Sequence, residues 1–76
     1  MTATRLARAF GAAIRKERES QGLSQEALGD AARLDRRYVS GLERATRNPT
    51  LASMEKLAKA LGVPLSKLVA EAERSR

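Results

Sequence analysis

The sequence predicts an all-α fold, five short helices packed into one compact bundle. Three observations predict it. Apolar residues recur three or four positions apart along every long segment, the spacing that lines one face of a helix. Glycine and proline are sparse, and Gly22, Pro49, Gly62 and Pro64 fall between those segments, where helices stop and restart. Only Phe10 and Tyr38 are aromatic, so the core must be built mainly from Leu, Ala, Ile and Val. With 76 residues the chain makes a single domain, 1–76, near the lower limit of what folds without staples.

The first helix runs from Ala3 to Ser20, with Leu6, Phe10, Ala13, Ile14 and the aliphatic stem of Glu17 on one side. Thr4 is its N-cap, because a short hydroxyl can accept from the free amides of the first turn, and Gly22 is its left-handed stop. Ser24 caps a second helix, Gln25 to about Ala32, that buries Leu28, Gly29 and Ala32. Asp35 caps a third, Arg36 to about Arg44, with Val39 and Leu42 inward. Ala45 to Pro49 form a loop. Thr50 then caps a fourth helix, Leu51 to Leu61, striped by Leu51, Met54, Leu57, Ala58 and Leu61. Gly62 ends it. Pro64 opens a fifth helix at its first turn, carrying Leu65, Leu68, Val69 and Ala72 to about Glu73, and Glu73 to Arg76 are expected to fray.

Composition argues against several kinds of chemistry. The chain has no cysteine, hence no disulfide or thiolate metal site, and no histidine, the commonest general base and metal ligand. No glycine-rich loop has the spacing that cradles a phosphate. An enzyme is therefore not expected, nor is a metal, a cofactor or a small-molecule ligand. Arg5 and Arg8 are followed by no long apolar run, so a secretory signal is not expected either. No segment approaches the roughly 20 apolar residues that cross a bilayer. A reducing cytoplasm is the expected setting.

Charge points to a partner outside the chain. Fifteen Lys and Arg against nine Asp and Glu give a formal net charge of +6 and a pI near 10.8. Solubility alone would explain a basic chain, but placement says more. Arg33, Arg36, Arg37, Arg44 and Arg47 face only Asp35 and Glu43 over fifteen positions. Like charges crowded in this way need a polyanion, nucleic acid first and an anionic membrane surface second. They cluster at a turn and a loop, not along an amphipathic helix, which disfavours the membrane. Two aromatics are too few for the stacking platforms that bind single strands. Double-stranded DNA is the expected ligand.

The second and third helices are each two to three turns and cannot persist without a shared core. Leu28, Gly29, Ala32, Leu34, Val39 and Leu42 supply one, and the small residues let the pair cross closely. A helix-turn-helix, about residues 25–44, is the arrangement in which such a pair presents its second helix to a major groove.

The run from Gln25 to Arg44 resembles the helix-turn-helix of lambdoid phage repressor and Cro proteins, the XRE-like regulators. The resemblance extends from Arg15 and Arg18 to the LGVPLSKL of residues 61 to 68, and YVSGLERATRNPTL, Tyr38 to Leu51, is typical of it. It implies a lambda-repressor-like DNA-binding domain and a regulator of transcription. Base reading falls to Arg36, Arg37, Tyr38 and Ser40, since an arginine fork can donate to guanine O6 and N7. Phosphate contacts fall to Gln25, Arg44, Arg47, Asn48 and Thr50. Arg18 and Glu43 match a family pair that bridges the first and third helices, a structural role. Two positions depart from the pattern. Arg33 stands where glycine is usual, which demands a strained φ or an altered turn. Gly41 stands where some relatives carry a base-reading amide, so specificity must shift to its neighbours. Lys56, Lys59 and Lys67 read as solvated charges.

A recognition helix of about nine residues spans only some 13 Å, one half-site. Two copies about a two-fold axis would read a palindrome with half-sites roughly 34 Å apart. The fifth helix, about 64–73, offers the apolar contact for a homodimer through Val63, Leu65, Leu68 and Val69. LDRRYVSGLERATRNPT, residues 34 to 50, further resembles the controller proteins of restriction–modification systems. That resemblance implies a bacterial, nucleoid-associated protein acting at a palindromic operator near its own promoter. A general autoregulatory repressor is the sibling reading. An antitoxin or another protein-binding module on the same fold is the alternative, although Glu71 to Arg76 is short for a toxin-binding tail.

Overall fold

The computed structural model describes residues 3–75. Its helices are α1 (Arg5–Ser20), α2 (Gln25–Ala32), α3 (Arg36–Glu43), α4 (Leu51–Leu61) and α5 (Leu65–Ser75), with no strand among the described residues. Four starts carry the expected caps. Thr4, Ser24, Asp35 and Thr50 accept from the amides of Ala7, Ala27, Arg37 and Ser53 at 3.1, 2.9, 2.7 and 3.0 Å. Each removes an orphan donor that the helix cannot pair by itself. Thr50 and Ser53 answer one another in a capping box, because Ser53 Oγ also accepts from the Thr50 amide at 3.1 Å. α5 outruns its expected end. Ala72 is fully buried, and Ser75 Oγ donates to the Ala72 carbonyl at 3.4 Å, so the helix continues into the last turn. Arg76 lies outside the described residues.

α1 is the spine. It packs along α5 and across α3, while α2 crosses α3 and rests on α4. Phe10, Ile14, Leu28, Val39, Leu42, Leu57 and Leu68 are all but excluded from solvent. Each such side chain contributes roughly 1.5–3 kcal/mol, which is how the eight-residue α2 and α3 persist. Leu68 therefore belongs to the core, and its expected place at a dimer surface is corrected. α5 turns Leu68 and Ala72 inward and leaves Leu65 and Val69 half-buried at the margin.

The connection between α2 and α3 positions everything that follows. A Cβ at Gly29 would lie 2.7 Å from the Leu34 carbonyl oxygen, so the turn closes against a bare Cα. The Leu34 amide then donates back to the Gly29 carbonyl at 2.8 Å. Arg33 caps α2 at φ 59 and ψ 43, the strained left-handed conformation rather than an altered turn. An L-residue holds that conformation at a cost of about 1–2 kcal/mol. No helix among the described residues is long and apolar enough to cross a membrane.

Candidate nucleic-acid interface

α3 presents two unlike sides. Val39 and Leu42 enter the core, while Arg36, Arg37, Ser40 and Arg44 lie around the opposite side. Arg36, Arg37 and Arg44 are exposed, and Ser40 is half-buried. Arg36 makes no hydrogen bond or ion pair among the described residues, so all its donors are available. Arg37 is folded back on the cap: its Nε and Nη2 donate to the Asp35 carboxylate at 3.2 and 3.1 Å.

That side-chain bond, with the Arg37 amide, draws the Asp35 carboxyl from its ordinary 3.8 down to about 2. A depressed acid contributes its stabilisation in full above its ordinary value and loses it as pH falls toward the folded one. Asp35→Asn is therefore expected to melt below wild type by a constant margin from neutral pH to about pH 5. The margin should shrink between about pH 4 and pH 2. Thermal melts across that range check it, and a margin that widened in acid would contradict the pairing.

Arg47, expected as a phosphate clamp in the loop, lies against α3. Its guanidinium carbon lies 5.5 Å from the centre of the Tyr38 ring, in cation–π contact, and its stem crosses Gly41. Tyr38 is half-buried, and its hydroxyl is hydrogen-bonded to Ser53 Oγ at 2.8 Å. Ser53 is itself buried and tied to Thr50, so one chain of contacts runs from the α4 cap through Tyr38 to Arg47. The loop that returns Arg47 to α3 bends at Ala45, which has φ 62. The amide and hydroxyl of Thr46 both donate to the Gly41 carbonyl, at 2.9 and 3.1 Å.

Behind α3 stands the Arg18–Glu43 pair. Arg18 donates from Nε and Nη2 to the two Glu43 oxygens at 2.8 and 2.9 Å, and from Nη1 to the Leu23 carbonyl at 2.8 Å. The side chains are 11% and 3% exposed, so this fork lies in a largely dry site with each of the three guanidinium nitrogens donating once. Gln25 joins it, donating from Nε2 to Glu43 at 3.0 Å. Its side-chain amide thus braces the pair that joins α1, α2 and α3, a structural use beside the expected phosphate contact.

The other expected phosphate residues also carry structural bonds. Asn48 Oδ1 accepts from the Thr4 amide at 2.9 Å, and the Ala45 carbonyl accepts from the Ala3 amide at 3.2 Å. Together they pin the loop after α3 to the start of α1. Thr50 caps α4 with its hydroxyl. Arg44 is exposed at the end of α3 with no such duty among the described residues. Sequence reasoning missed Ser53, Thr46 and Ala45. For Ser53 a signal existed, since it stands three residues after the Thr50 cap.

Exposed guanidinium groups on the outward side of a short helix, held by a buried ion pair, can neutralise phosphates and donate to base edges at once. These features define a DNA-binding helix-turn-helix. Residues 14–68 match the family described as helix-turn-helix, and the chain belongs to it, as a DNA-binding regulator of transcription of the XRE type. It is 39% identical over 66 residues to the control protein C.MunI of a Mycoplasma species, covering 86% of this chain and 89% of that one. The control protein C.BamHI of Bacillus amyloliquefaciens is 47% identical over 55 residues, 71% of this chain and 68% of its own. The crystal structure of the restriction–modification controller protein C.AhdI from Aeromonas hydrophila matches with a TM-score of 0.79 at 44% identity. That match covers 82% of this chain and 94% of the other.

Proposed function

We propose that the protein is a restriction–modification controller that binds a palindromic operator at its own promoter as a homodimer, in the bacterial cytoplasm. The observation that carries this reading is the unencumbered Arg36 at the outward start of α3, with Arg37 beside it. The relatives named as control proteins support the biological role. Arg36, Arg37, Ser40 and Arg47 form the base-reading surface, with Tyr38 as the ring that orients Arg47. Arg44 and the loop at Asn48 serve the phosphates.

Size argues for two copies. The protomer measures 26 × 25 × 21 Å, less than the roughly 34 Å between successive major grooves on one side of a duplex. The margin of α5, with Val63 just before it, supplies an apolar contact in Val63, Leu65 and Val69. Val69 also lines a cleft of about 280 Å³ with Leu6, Phe10 and Met54, and Leu51, one turn before Met54, is 73% exposed. Leu65→Asp or Val69→Asp places a charge in that contact and is expected to yield a folded monomer with weakened operator binding. Leu68→Asp, in the core, is expected to unfold the chain instead. Sedimentation and footprinting on the DNA upstream of the reading frame test both parts. Undiminished dimerisation in both margin variants would remove α5 from the interface. No salt-sensitive protection of a palindrome would overturn the controller reading.

A further inference from the structure

We infer that Gly41 is a positioning residue for DNA recognition: its missing side chain lets Arg47 lie along the outward side of α3. The inference rests on the reading of α3 as the groove-facing helix. Glycine is a poor choice for the interior of an eight-residue helix. The backbone does not ask for it, because Gly41 is helical and not among the residues of positive φ. Close packing of another helix does not ask for it either. The three atoms nearest a Cβ built at Gly41 are Cδ, Nε and Cγ of Arg47, at 2.9, 3.0 and 3.2 Å.

Two further contacts show that this approach is built. The Gly41 carbonyl holds Thr46 by two hydrogen bonds, which starts Arg47 directly above the helix. One turn earlier, the Tyr38 ring receives the guanidinium, and Ser53 fixes that ring. Gly41 is consequently buried although it lies on the outward half of α3, between Arg37 and Tyr38 around the helix. Arg47 forms no hydrogen bond among the described residues, so its donors stay available at the surface it has been brought to. A methyl group at position 41 would stand where the stem now runs, and the stem must give way.

The test is a double-mutant cycle of Gly41→Ala and Arg47→Ala, on operator DNA and on random DNA of equal length, at one salt concentration and above the dimerisation range. Gly41→Ala is expected to melt no lower than wild type, since alanine favours the helix. It is expected to lose at least about fivefold on the operator, the low end of what one arginine–base contact contributes, and less on random DNA. In the Arg47→Ala background the same change should be neutral. A DNA-free measurement runs beside it: the chain has one tyrosine and no tryptophan, so tyrosine emission reports Tyr38 alone. Gly41→Ala should change the intensity of that emission, and should not once Arg47 is alanine. Additive losses in the cycle, or emission unmoved by Gly41→Ala, overturn the inference. A wild-type protein that binds operator and random DNA equally overturns the reading of α3 beneath it.

Discussion

Arg18→Ala is expected to lower the melting temperature by roughly 12 °C or more. Among the described residues the substitution leaves Glu43 with only the Gln25 amide as partner, in a site where its side chain is 3% exposed. Breaking one half of a buried pair costs about 3–5 kcal/mol, most of it the desolvation of the charge left behind. A domain of this length holds only about 4–11 kcal/mol in total, and each kilocalorie moves its melting point by about 4–8 °C. Glu43→Ala should cost a similar amount, because among the described residues Arg18 then keeps only the Leu23 carbonyl and a distant Glu19. Replacing both, as Arg18→Met with Glu43→Leu, should recover much of the loss. Equilibrium denaturation of the three variants decides it. Single variants that melt with the wild type but lose DNA binding would move the pair from the scaffold to the DNA surface.

That pair shows where sequence reasoning stops. The caps at Thr4, Ser24, Asp35 and Thr50 were legible because a side chain and the amide it serves lie within three residues. Arg18 and Glu43 are 25 residues apart, and no local pattern joins them; they were reachable only through the family resemblance. The apolar spacing of α5 showed one stripe of Leu65, Leu68, Val69 and Ala72. It could not say which of them is innermost, because that depends on how α5 is rotated against α1. Leu68 proved to be core for this reason. Arg47 was hidden more deeply. Its position depends on a left-handed alanine, a residue with no turn signature, and on bonds from Thr46 to a carbonyl five residues back. The trace it left in the sequence was a glycine in the middle of a helix.

The other large effect is on binding. Arg36 opens α3 with no hydrogen bond or ion pair among the described residues, and a fork at that place can take guanine O6 and N7 together. Arg36→Ala is expected to weaken operator binding by about 5- to 150-fold, and to relax preference at one base pair per half-site. Random DNA should be affected far less. Arg37 has further to go, since its fork must leave Asp35 before it can reach a base. Arg37→Ala should therefore be compared with Asp35→Asn, which weakens the hold on the same guanidinium without removing it. Arg44, exposed at the far end of α3, is the control for backbone contact. Arg44→Ala should weaken operator and random DNA alike and flatten the log-affinity against log-salt slope by about one per subunit. All slopes must be taken where every variant is dimeric, because lost dimerisation would imitate either result. If Arg36 and Arg37 variants lose affinity equally on every sequence, these arginines hold phosphates. Sequence would then be read by Ser40, by Arg47 on its Tyr38 platform, or through the shape of the DNA.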